Sequence, residues 1–431
     1  MRKARSWSLA AIVGNAVITA GLLAPAAVRE PADSRPSSSQ EGRILLQIRS
    51  TEPLEPAAKS DQPKKTDPPA ATSASPGEAQ PQKPPAKLSP AMTDLRDRLR
   101  RTLAVYSHQP FNTRDNTPGE ILDFCLAFGC ETEISYEGPS GSKISGIGCL
   151  CANLPCAGYS LLQLGEGRIM ARVGYGLQEH PSQFLAVLAQ SRVPAGYEIR
   201  VGQEQRTMAD LVEFEKLACR SGGDLSLTLV GLSYYVGDDA TWKNQLGETW
   251  SLERMLEHEL DRAVSQADCD VTNRFLGISC AVGRRLSQTA ALDGQYARAQ
   301  KYLTECQEHA LSLQNPDGSW HPGFLAYRGT SPDLAGMLRS TGHILEWLAL
   351  SLPDARLEDP RVVKSASYLT TLLENRQAAN APSGTPREIG ALMHAAHTLM
   401  IYDQRMFKVN PATDDASAIS GKDLGQSENK P

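Results

Sequence analysis

The sequence predicts a mainly α-helical protein, an array of helical hairpins with one small β-hairpin insertion near 131–175. Three observations predict it. Eleven stretches place apolar residues at i, i+3 and i+4, the spacing of one helix face. Alternating, turn-rich sequence is confined to 131–175. Ala297 to Leu303 realigns with Val363 to Leu369, 66 residues later, and each copy opens a helix separated from the other by a partner helix.

Composition sets the outer limits. The chain has 431 residues, and a 41% hydrophobic fraction is ample for a sizeable core. With 44 basic and 49 acidic residues the formal net charge is -5, which excludes a general nucleic-acid binder with its concentrated basic footprint. Nine cysteines leave at least one thiol unpaired in a monomer.

The N-terminal 1–28 has Arg2, Lys3 and Arg5 ahead of 22 uncharged residues from Trp7 to Val28. As a helix that run spans about 33 Å, enough to cross a hydrocarbon core. Ala24-Pro25-Ala26 offers a small-x-small cleavage pattern, so a cleaved signal peptide and a retained membrane anchor both remain open. Either places the rest of the chain outside the cytoplasm, in the periplasm or cell envelope. Eleven of the 28 prolines fall in 29–88, a composition that predicts a disordered Pro/Ala/Ser-rich linker. A polar tail, 409–431, is predicted to be disordered as well. Between them lies one helical domain, 89–408.

Ser89 and Pro90 open the first helix, 90–106. Thr117-Pro118-Gly119-Glu120 is a capping box with proline in the first turn, and Gly129 ends that second helix. Gly165-Glu166-Gly167 sits between two alternating runs, which predicts a hairpin turn. Helices follow at 181–192, 207–220, 225–236, 251–263, 271–285, 294–313, 333–351, 359–376 and 386–405. The helix 333–351 carries an aliphatic stripe through Met337, Leu338, Leu345 and Leu348.

The helix 294–313 ends in Gln314-Asn-Pro-Asp317-Gly318-Ser-Trp320, where Asn-Pro-Asp-Gly stops the helix and Gln314 is placed to pack on Trp320. This pattern resembles the QW-type repeat of squalene cyclases and prenyltransferases. The resemblance implies an α/α toroid, an inner ring of helices inside an outer one, and a structural role for the motif. Longer segments resemble a set of exported planctomycete proteins of no agreed activity. They include Cys151-Ala-Asn-Leu-Pro-Cys156, His180-Pro-Ser-Gln183, Asp210 to Cys219, Thr341 to Leu348 and Tyr402-Asp-Gln-Arg405. One departure is Asn273, beside Arg274, where that family carries histidine. If that histidine is catalytic, the resemblance implies an altered or inactive member.

Candidate site residues follow. His343, Glu346 and Trp347 at i, i+3 and i+4 share one helix face. On an inner toroid helix that face looks into the cavity, where a carboxylate-oriented imidazole does acid/base work. The competing reading packs the face against a second helix layer. His180, with Gln183, either caps a helix start or faces a ligand, and Asn273 and Arg274 are further cavity candidates. His394 and His397 would hold zinc if a third ligand converged, but none is indicated by spacing, so no metal site is assigned. Asp210, Glu213 and Glu215 read as an exposed acidic face. Cys125, Cys130, Cys149, Cys151 and Cys156 crowd together, with a Cys151–Cys156 disulfide, buried free thiols and a metal site all open. Asp123-Phe-Cys125 has an Asp-x-Cys spacing that chance readily supplies. Phosphate-binding glycine loops, Gly-x-Ser-x-Gly and His-Glu-x-x-His do not occur.

The function read from sequence is a binding or scaffold module at the cell envelope, with an unidentified envelope ligand or protein as partner. Contact with the membrane runs through the N-terminal segment unless it is cleaved. No cofactor is implied. The alternative is an extracytoplasmic lyase- or cyclase-like enzyme on a polysaccharide or lipid, with His343 and Glu346 as acid/base pair and His180 assisting.

Overall fold

Six helices of this chain pack in a closed circuit, each against the next and the last against the first. The computed structural model describes residues 88–262, 270–288, 291–378 and 386–407, which hold twelve α-helices and four two-stranded antiparallel hairpins. The expected signal or anchor segment and the tail lie outside the described residues, as does the linker but for Leu88. Among the described residues no helix is long and apolar enough to cross a membrane.

The helices of the circuit are α2 (Pro118–Phe128), α4 (Gln183–Gln190), α6 (Ser226–Tyr235), α8 (Asp270–Gln288), α10 (Leu334–Ser351) and α12 (Pro386–Met406). α2 packs on α4, α4 on α6, α6 on α8, α8 on α10, α10 on α12, and α12 returns to α2. The intervening helices are α1 (Pro90–Ser107), α3 (Gly146–Cys151), α5 (Met208–Ala218), α7 (Leu252–Asp261), α9 (Gly294–Ser312) and α11 (Pro360–Ala378). Each of these packs on one or more members of the circuit. α10 shows the consequence for burial. Every residue from Ser340 to Ala349 is buried, so its aliphatic stripe and its polar face are both enclosed. Close approach also demands small residues. A Cβ on Gly277 of α8 would overlap the Ser226 carbonyl oxygen at the start of α6.

All eleven helices expected from periodicity are present, with ends shifted by a few residues. The Thr117 box forms as expected, Glu120 accepting from the Thr117 N–H at 2.8 Å. The expected hairpin is β3–β4 (Leu162–Gly165 and Arg168–Ala171), turned by Glu166 and Gly167 at φ 50° and 74°, the positive pair of a type I′ turn. Sequence reading missed α3 and the hairpins β1–β2 (Glu133–Ser135, Lys143–Ser145), β5–β6 (Glu198–Val201, Glu204–Thr207) and β7–β8 (Thr241–Lys243, Thr249–Ser251). Two of these three strand pairs end on the serine whose side chain caps the next helix. Ser145 accepts from Gly148 N–H at 3.0 Å and Ser251 from Arg254 N–H at 3.1 Å.

The Gln314–Trp320 segment is a joint between α9 and α11. Asp317 accepts from the Ser319 N–H at 3.0 Å and its hydroxyl at 2.7 Å, while Gly318 takes φ 98°. The Gln314 amide donates to Arg361 O at 2.8 Å and Ser365 Oγ at 2.6 Å, so it is spent on α11. Trp320 is fully buried and donates to Ala310 O at 2.7 Å.

Of the three uses left open for the clustered cysteines, the structure holds free thiols. Cys151 and Cys156 are both free, and the sulfur facing Cys156 is that of Cys149, 3.6 Å away. Two residues apart on a helix is about 200° of rotation, so Cys149 and Cys151 point to opposite sides of α3.

Candidate functional site

α10 and α12 lie side by side, and their polar residues meet between them. The i, i+3 spacing on α10 aligns His343 with Glu346; the same spacing on α12 aligns His394 with His397. The Glu346 carboxylate is held at both oxygens by α12, Oε1 by His397 Nδ1 at 2.8 Å and Oε2 by His394 Nδ1 at 3.1 Å. His343 Nδ1 stands 3.7 Å from the same Oε2, and its ring lies 4.1 Å from that of His394.

The electrostatics are set by burial and by these partners. Burial alone would push the Glu346 carboxyl up, but His394 and His397 outweigh it and hold the group well below the usual carboxylate range. An ionised carboxylate only accepts, so the Nδ1 atoms of His394 and His397 carry the protons they share with it. His394 is itself raised, since Glu346 and Asp123 overcome the effect of burial. His343 is pushed well below its ordinary value by burial and by the neighbouring His394. Burial raises Asp123 to about 7 against the pull of His394.

These groups border a cavity of about 60 Å³, to which every helix of the circuit contributes. α2 supplies Asp123, α4 Gln183, α6 Leu227, α8 Thr272 and Asn273, α10 Arg339, His343, Glu346 and Trp347, and α12 His394. Glu179 and His180 face it from just before α4. That volume holds about four water molecules. His343 is 9% exposed and Glu346 3%, so the cluster is buried where it borders the cavity.

Supporting contacts fix the frame. Gln183 accepts from the backbone N–H of Glu179 at 2.8 Å and of His180 at 3.3 Å, and donates to Asp123 Oδ1 at 3.4 Å. Gln183 thus organises the start of α4, with His180 turned to the cavity. Trp347 donates to Ser279 Oγ at 3.1 Å and lies 4.5 Å from the Phe275 ring, which locks α10 to α8.

His343, Glu346, Trp347, His180, Gln183 and Asn273 therefore come together at one cavity. Arg274 does not. It is buried with its Nε 4.0 Å from Glu259 Oε2 on α7 and its guanidinium over the Tyr302 ring. Glu215 is also corrected, from an exposed face to a buried carboxyl that accepts from Ser182 Oγ at 2.7 Å. Sequence reading missed the convergence of Asp123, Arg339 and Glu179, and left the His394–His397 pair without a third ligand. The group that converges instead pairs His394 with His343 and Glu346, whose ligand atoms all lie within 4.8 Å of one another, while His397 only hydrogen-bonds Glu346 Oε1.

Compared with protein-family models, curated proteins and solved structures, the chain has no match. A carboxylate among imidazoles, beside a cavity with room for water, is suited to moving a proton or to holding a cation.

Proposed function

We propose that the protein is an enzyme whose active site is this cavity, working outside the cytoplasm on a polysaccharide or lipid by hydrolytic or eliminative cleavage. The observation that carries the reading is the convergence of His343, Glu346, His394, Asp123 and His180 on one space. Buried ionisable groups are expensive to hold, and well-packed apolar residues would serve a purely structural helix interface as well or better. The basic N-terminus followed by 22 uncharged residues supports the extracytoplasmic address. The closed circuit supports a toroid-like reading, with even-numbered helices as inner ring and odd-numbered helices as outer.

Turnover of a panel of envelope polysaccharides and lipids tests this, with His343→Asn and Glu346→Gln compared with the parent after thermal melts confirm folding. Loss of about 100-fold or more in rate in both variants is expected. Saturable ligand binding with no turnover on any substrate would replace the enzyme by the second reading, a binding module at the envelope.

A further inference from the structure

We infer that His343, Glu346 and His394 form a binding site for one divalent transition ion of the zinc class. In a tetrahedral site with bonds of about 2.0–2.1 Å, neighbouring donor atoms stand about 3.3 Å apart. Glu346 Oε2 stands 3.1 Å from His394 Nδ1 and 3.7 Å from His343 Nδ1, which brackets that spacing, and the ligand atoms of all three residues lie within 4.8 Å of one another. The donor set, two imidazoles and one carboxylate, suits zinc and its neighbours; magnesium and calcium require oxygen ligands.

The surroundings match what an ion site needs. Glu346 Oε1 accepts from His397 Nδ1 at 2.8 Å, so the carboxylate is oriented by a residue outside the donor set, as ligating carboxylates are. The fourth position opens on the cavity, where a bound water and a substrate group have room. Across that space Asp123, braced by Gln183, is placed to accept a proton from such a water. Binding at His394 Nδ1 displaces the proton shared with Glu346, which leaves to solvent if the ring is an imidazolium and moves to Nε2 if the ring is neutral.

This inference rests on the proposed active site for its role in chemistry, while occupancy is measured without any substrate. The full-length protein is stripped with a chelator, then titrated with Zn(II) by calorimetry and with Co(II) by visible absorption. One ion per chain, an upward shift of the melting temperature with Zn(II), and tetrahedral or five-coordinate Co(II) bands are expected. His343→Ala and His394→Ala should abolish stoichiometric binding, His397→Ala should weaken it by about 10–100-fold, and His108→Ala, an exposed control, should leave it unchanged. No stoichiometric binding to the folded parent would overturn the inference. So would a thiolate-to-cobalt charge-transfer band, or binding unchanged in His343→Ala and His394→Ala, since either puts the ion elsewhere. An ion bound as expected with no turnover sinks the enzyme reading alone. Turnover dependent on His343 in ion-free protein would remove the ion's role in the chemistry and leave the enzyme reading standing.

Discussion

His397 on α12 donates to Glu346 on α10 at 2.8 Å, a buried hydrogen bond between residues 51 apart in sequence. With His394 on the other oxygen, one carboxylate ties two helices of the circuit at both its acceptors. Removing His397 strands Glu346 Oε1 in the interior. His397→Ala is expected to cost about 1–3 kcal/mol of folding stability, measured by urea titration, with Glu346→Gln partly restoring it in the double variant. Additive costs would show that the two residues do not act as a pair.

Glu215, outside the cluster, provides a separate pH signature. Burial raises its carboxyl from 4.5 to about 7, with the Ser182 hydroxyl partly offsetting the effect. The folded protein therefore holds this proton to higher pH than the unfolded chain. Its contribution is complete below about pH 4.5 and is lost as pH rises through about 7. Between about pH 5 and pH 8 the parent should lose about 2–3 kcal/mol relative to Glu215→Gln, which cannot ionise. Parallel stability profiles for the two proteins would refute the assignment.

The contact between α6 and α8 depends on the absence of a side chain at Gly277, where a Cβ would overlap the Ser226 carbonyl oxygen. Gly277→Ala should destabilise by about 1–3 kcal/mol despite alanine's better helix propensity. Thermal denaturation decides it; a neutral or stabilising change would mean the two helices separate freely.

Cys149 and Cys156 are the thiols poised to crosslink. The Cys156 hydrogen bond lowers the Cys149 thiol against the effect of burial, and the sulfurs are 3.6 Å apart. Exchange with oxidised glutathione should join these two, releasing two molecules of reduced glutathione, while Cys151 stays free. Peptide mapping by mass spectrometry distinguishes this from a Cys151–Cys156 bridge.

Local pattern made the helices legible, because a stripe or a cap such as Thr117 with Glu120 is written within a few residues. The three missed hairpins have strands of three or four residues, too short for alternation to register alone; β3–β4, with four-residue strands, was legible through its Gly165-Glu166-Gly167 turn. The α10 half of the site, His343, Glu346 and Trp347, was legible for the same reason as the helices. Its other half was not, since His394 and His397 reach Glu346 across 48 and 51 residues through a packing of α10 on α12 that no local spacing encodes. Glu215 failed differently. Neighbouring acidic residues suggested a wetted face, but at i+2 from Glu213 it lies on the other side of α5, against Ser182.

The closing of the circuit by α12 carries a temporal consequence. α12 is the last helix described, and it brings both His394 and His397 while touching α2 and α10. A nascent or partly threaded polypeptide that has not yet delivered residues 386–406 has His343 and Glu346 but no cluster. The His–Glu cluster thus comes into being only on arrival of this helix, and every shorter intermediate of synthesis lacks it.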